Sequence, residues 1–132
     1  MRAILRTASI RLLAVIAFAA LAQAAYAVNN LTLVNAASYE TVSVSGVNTG
    51  VVAPGSLGAL FSNGMAPGVL FAPPGVFPLP NVLSGANVTI ADIACPLLYV
   101  SPTQINLQVP FGLANGTQTV KVFSNGTLVA SG

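Results

Sequence analysis

Between Glu40 and Asp92 the chain carries no charged side chain, yet the same interval holds six prolines and, from Gly46 to Gly85, eight glycines. So long an uncharged apolar stretch invites a reading as membrane-spanning helix. Its punctuation forbids that: each proline removes a backbone donor and clashes with the preceding turn, and a helix long enough to cross lipid does not survive such spacing. The interval therefore predicts strands and loops.

Strict alternation of polar and apolar residues marks a half-buried strand, because successive side chains leave the backbone on opposite faces. Thr41-Val42-Ser43-Val44-Ser45 puts both valines on one side, and Asn87-Val88-Thr89-Ile90 does the same with Val88 and Ile90. In Gln104-Ile105-Asn106-Leu107-Gln108-Val109 the three apolar residues face inward and the three amides outward. Gln118-Thr119-Val120-Lys121-Val122 sends Val120 and Val122 inward. The apolar runs Leu57-Gly58-Ala59-Leu60-Phe61 and Pro96-Leu97-Leu98-Tyr99-Val100 predict strands buried on both faces. Pro54-Gly55, Asn63-Gly64, Pro67-Gly68, Pro73-Pro74-Gly75, Asn115-Gly116 and Asn125-Gly126 supply turns, and Asn125-Gly126 predicts a hairpin joining the strands on either side. Residues 63–84 are too rich in proline and glycine for a regular strand and predict a long crossing loop. Six to seven short strands at this spacing predict an all-β fold, an immunoglobulin-like β-sandwich over residues 28–132.

The first 27 residues have a different character. Arg2, Arg6 and Arg11 precede an apolar run at 12–21, and Ala25-Tyr26-Ala27 follows with small residues where a signal peptidase inspects them. Residues 1–27 are thus expected to form a helical secretory signal peptide, cleaved on export, with retention as an anchor the alternative. The apolar run is shorter than the roughly 20 residues a spanning helix needs, and no cysteine stands near the cut to take a lipid. The formal charge of +2 belongs to this leader. Beyond it the only charged residues are Glu40, Asp92 and Lys121, a formal charge of −1. Without a basic cluster there is no footprint for nucleic acid and none for anionic lipid. A surface with so little charge has weak colloidal protection, so the expected setting is a secreted or cell-surface one among glycans, wall components or other extracellular protein.

Three segments in order carry a resemblance: Val34-Asn35-Ala36-Ala37-Ser38-Tyr39, then Val52-Ala53-Pro54-Gly55-Ser56-Leu57, then the block from Pro96 to Gly112 that contains Leu98-Tyr99-Val100-Ser101-Pro102-Thr103-Gln104-Ile105-Asn106. Together they resemble an uncharacterised C-terminal domain of exported acidobacterial proteins, itself similar to IPT/TIG immunoglobulin-like modules. The resemblance implies an exported module of unknown role and supplies no catalytic residues. Two departures stand out. Phe61-Ser62-Asn63-Gly64 replaces a turn of the Phe-Gly-Thr-Asn kind, and members of the family continue past the position of Gly132. The second departure sets the expectation of a domain truncated at its C-terminal end, with an unpaired strand edge.

Chemistry is sparse. No histidine exists anywhere in the chain, which removes Ser-His-Asp and Cys-His arrangements. Zinc needs several Cys or His and calcium several close carboxylates, whereas beyond the leader the chain offers only Cys95, Glu40 and Asp92, with Glu40 far in sequence from the other two. Glu40 and Asp92 would act as a glycosidase-like pair only if the fold brought them together. Cys95 is the only thiol; it reads either as an intermolecular bridge or as a small buried residue before Pro96. Gln104, Asn106 and Gln108 form an outward amide row with Tyr39, Tyr99 and Phe111 nearby in the same blocks, a combination that reads either as a sugar-contacting surface or as a solvated face with rim aromatics. Asn30, Asn87, Asn115 and Asn125 begin Asn-x-Thr triplets, which in so Asn- and Thr-rich a chain carry little weight for glycan attachment. The expectation is a non-enzymatic module with no catalytic, cofactor-binding or metal-binding residues, structural, adhesive or carbohydrate-contacting. The alternatives are a subunit that assembles by strand addition, with residues 31–47 filling the edge of a neighbour, and a fragment of a longer secreted protein.

Overall fold

The computed structural model describes residues 28–44 and 47–132, and over them the protein is all-β, with no helix. The predicted signal peptide at residues 1–27 lies outside the described residues. Twelve strands follow in chain order: β1 (Asn29–Asn30), β2 (Thr32–Asn35), β3 (Thr41–Val44), β4 (Val47–Gly50), β5 (Leu57–Phe61), β6 (Leu70–Phe71), β7 (Ala86–Ile90), β8 (Ile93–Ala94), β9 (Leu97–Val100), β10 (Gln104–Gln108), β11 (Val120–Ser124) and β12 (Thr127–Ser131). They form a first sheet in the order β1-β12-β11-β7-β8, a second in the order β2-β5-β10-β9-β6, and a separate hairpin β3-β4. Every pairing is antiparallel except that of β1 with β12. The expected six to seven strands undercount the described ones: β1, β6 and β8 are two-residue pieces that leave no alternation to read, and the four-residue β2 and β4 were also not anticipated.

One hydrophobic core joins the two sheets. Leu33, Leu60, Leu97, Val100, Ile105 and Leu107 enter it from the second sheet, and Ala86, Val88, Ile90, Val120, Val122 and Ala130 from the first. The leucine, isoleucine and valine side chains among them each contribute about 1.5–3 kcal/mol when fully buried. The inward residues of β7, β10 and β11 are those the alternation predicts. Met65, Ala66 and Leu83 also enter the core, so the crossing segment at 63–84 is a loop that plugs the sandwich at both of its ends and contributes β6 to an edge.

Short turns set the registers. Asn125 and Gly126 both adopt positive φ, 48° and 81°, and pair Ser124 with Thr127 across a two-residue turn, as the Asn-Gly signal predicts. Ala91 and Asp92 make the same kind of turn between β7 and β8 with φ of 49° and 62°. No residue there announces it. Between β9 and β10 the buried Ser101 does the work of a turn template: its Oγ donates to the Gln104 carbonyl (3.0 Å) and accepts from the Gln104 and Thr103 amides (2.9 and 3.3 Å).

Three expectations need correction. Leu57-Gly58-Ala59-Leu60-Phe61 is not buried on both faces: Leu57 and Phe61 are 51% and 36% exposed, because β5 belongs to a two-layered structure whose outer face meets solvent. Leu98 and Tyr99 of β9 are likewise half-buried. The register slips between Asn106 and Leu107, which face Tyr99 and Leu97; this bulge lets Leu97 and Val100 both point inward with two residues between them. Val42 is exposed rather than core, since β3 pairs only with β4 in a hairpin outside the two main sheets. Finally, the strand expected to begin at Gln118 begins at Val120.

The last strand is not an edge. β12 lies between β1 and β11, and beyond it Gly132 exchanges two backbone hydrogen bonds with Val120 (2.8 and 3.1 Å). The four outer strands of the two sheets are β1, β8, β2 and β6, and three of them are two residues long. Short edges of this kind offer little template for pairing with another chain.

Candidate functional site

Alternation that drives Ile105 and Leu107 into the core necessarily turns Gln104, Asn106 and Gln108 outward, and all three stand half-exposed on the outer face of the second sheet. Gln104 Nε2 donates to Asn106 Oδ1 (2.8 Å), and Gln108 Nε2 reaches the Gly55 carbonyl at 3.4 Å. The amides are thus held along the strand while keeping further donor and acceptor positions free for hydroxyl groups.

Strand register sets what lies beside them. Asn106 is opposite Tyr99 on β9, and Tyr99 is opposite Phe71 on β6. The Phe71 and Tyr99 rings lie 4.8 Å apart at 51°, a tilted aromatic pair on an outer surface with Phe71 68% exposed. On the other side of β10, Gln104 is opposite Phe61. The Phe61 ring lies 6.4 Å from that of Tyr39, at 35°.

Tyr39 reaches that position through a local turn. Asn35 Oδ1 accepts from the Ala37 and Ser38 amides (2.9 and 3.3 Å), and the Tyr39 amide donates to the Asn35 carbonyl (2.9 Å). The turn places Tyr39 in the left-handed region at φ 55°, which is costly for an aromatic residue. Asn35 lies opposite Gly58, and between that pair and Phe61 the Val34–Ala59 pair is buried on the same face.

The outer face of the second sheet therefore carries two aromatic pairs with an amide row between them, and none of its five strands holds a charged residue. At its Leu57 end an open depression of about 370 Å³ is lined by Asn35, Ala36, Ala37, Ser56 and Leu57. Of the aromatics singled out from the sequence, Tyr39 and Tyr99 belong here. Phe111 stands apart from both ring pairs, beyond the end of β10 and largely exposed, its ring against Gly55, whose carbonyl Gln108 reaches, so that a Cβ at Gly55 would collide with it. Phe61 and Phe71 are additional members. Phe61 was hidden in a run read as buried, and Phe71 in a segment without alternation.

The remaining candidates are dispersed. Asp92 lies at the β7-β8 turn with Lys121 Nζ 2.8 Å from its Oδ1, whereas Glu40 is exposed next to Tyr39, just before β3. Cys95 is free and fully buried in the core. Burial pushes its thiol up to about 12, and a backbone contact from Ile90 offsets this only in part. A thiol so placed reaches no neighbouring chain, which leaves the reading as a small core residue. Among the described residues no three His, Cys, Asp or Glu side chains lie together as a metal cluster. Comparison of the chain with family models, curated proteins and solved structures gives no match.

Proposed function

We propose that the protein is an exported, non-enzymatic immunoglobulin-like module that contacts carbohydrate through the outer face of its second sheet. The strand order supports the immunoglobulin-like part. β2, β5, β10 and β9 follow one another as A, B, E and D do in that fold, and β12, β11, β7 and β8 as G, F, C and C′. Export rests on the leader-like residues 1–27 and on the resemblance to exported acidobacterial domains. The absence of histidine, with two carboxylates beyond the leader, leaves little equipment for proton transfer.

The single observation that carries the carbohydrate reading is the Phe71–Tyr99 pair set beside Asn106 and Gln104. Exposed aromatic rings offer the apolar faces of sugars a partner, and adjacent amides bond their hydroxyls in either sense. Its test is co-sedimentation of the purified protein with insoluble polysaccharides and cell-wall fractions. Retention that is lost in Tyr99→Ala and kept in Phe123→Ala, on the other sheet, supports the reading. Equal retention of both variants, or none for the native protein, overturns it. Assembly by strand addition has less support, since Thr32–Asn35 of the proposed donor segment already pairs with β5 of its own chain.

A further inference from the structure

Resting on that carbohydrate reading, we infer that the ligand is an uncharged, extended glycan chain that bridges both aromatic pairs, rather than a monosaccharide or a charged polysaccharide. Length comes from the register. Tyr99 and Phe61 flank β10 on opposite sides, and their partners on it, Asn106 and Gln104, are two residues apart. Two inter-strand steps and two residues of rise separate their backbones by roughly 12 Å. That span exceeds one sugar ring, so a monosaccharide occupies one stacking point at a time, whereas an oligosaccharide engages both and crosses the amide row between them. Linking two weak contacts in one ligand raises affinity well beyond either alone.

Neutrality comes from the distribution of charge. Beyond the leader the only cation is Lys121, on the first sheet and paired with Asp92. A uronate or sulfate on the ligand would therefore find no counter-charge on the second sheet and would meet the exposed carboxylate of Glu40 beside Tyr39. Amides, which donate and accept, complement hydroxyls instead. Binding between uncharged groups is insensitive to added salt, unlike binding through ion pairs.

The test is calorimetric titration of the full chain with glucan, mannan, xylan and galactan series from monosaccharide to hexasaccharide, alongside polygalacturonate and chitosan, at low salt and at about 0.5 M salt. The expected result is affinity for at least one neutral series that rises about tenfold or more with chain length and is unchanged by salt. Tyr99→Ala and Phe61→Ala, checked for native circular dichroism, should each flatten the dependence on length, and Tyr99→Phe should keep it. Affinity that is flat with length, or preference for polygalacturonate or chitosan that salt abolishes, overturns this inference and leaves the carbohydrate reading standing. No affinity for any glycan overturns both.

Discussion

The two outer faces of the sandwich are built by one rule and end up with different chemistry. On the first sheet the outward row includes Thr89 and Ala94 beside Lys121, whose ammonium closes onto Asp92; Phe123 lies opposite Asn87 and Leu128. On the second sheet the strands hold three aromatic rings and three amides with no charged residue, and Tyr39, from the turn after β2 and next in the chain to Glu40, adds a fourth ring that pairs with Phe61. Inward residues are apolar on both sheets, since the core selects for volume, apolarity and fit. Outward residues are free of that demand, so a concentration of rings on one face and not the other calls for an account beyond folding.

Perturbing the core that the faces share should produce the largest effect. Leu107→Ala empties a fully buried position behind the amide row and is expected to lower stability by about 3 kcal/mol, read as a shift in the urea unfolding midpoint. A shift no larger than that of an exposed substitution would show that the sheets are not packed as described. Next in size is the contrast between faces: Tyr99→Ala should weaken glycan binding about tenfold, near 1.4 kcal/mol, while Phe123→Ala leaves it unchanged. If both lose binding equally, the two faces are not functionally distinct.

A smaller effect belongs to Cys95, which both sheets enclose. Its folded thiol titrates near 12 against 9.0 for the ordinary group, so folding favours the protonated form. The stabilisation is complete below pH 9 and is lost as pH rises from there toward 12, at up to about 1.4 kcal/mol per unit. Comparing native protein with Cys95→Ala between pH 8 and about 10.5 should show a steeper alkaline decline for the native chain. The thiol should also resist an aromatic disulfide reagent until urea unfolds the protein. The smallest effect is expected on the first face. Asp92→Asn breaks an ion pair whose side chains are 36% and 80% exposed, and solvent screening limits the loss to a few tenths of a kcal/mol. A larger loss by thermal unfolding would mean that this pair anchors the β7-β8 turn.

Local patterns show how much of this was legible. Asn125-Gly126 announced its hairpin because those residues tolerate the positive φ the turn demands. Ala91-Asp92 makes the same turn unannounced, because alanine seldom adopts that conformation and is held there by the pairing of β7 with β8. The amide row was legible from alternation in β10. Its aromatic neighbours were only half legible: Tyr39 and Tyr99 lay close in the chain to recognisable blocks, whereas Phe61 and Phe71 join them only through cross-strand register. Met65 gave no signal of burial, since a lone apolar residue in a Gly- and Pro-rich loop has no period to betray its direction.

The amino-acid order thus determined the class: proline and glycine spacing forbade long helices between Glu40 and Asp92, and alternation assigned the inward residues of β7, β10 and β11. Those are local properties, fixed by backbone geometry and side-chain type within a few residues. Tertiary structure alone decided which outward residues became neighbours, because the register between β6, β9, β10 and β5 is set by bulges, turns and core packing distributed over the whole domain. The two ring pairs exist only as a consequence of that register.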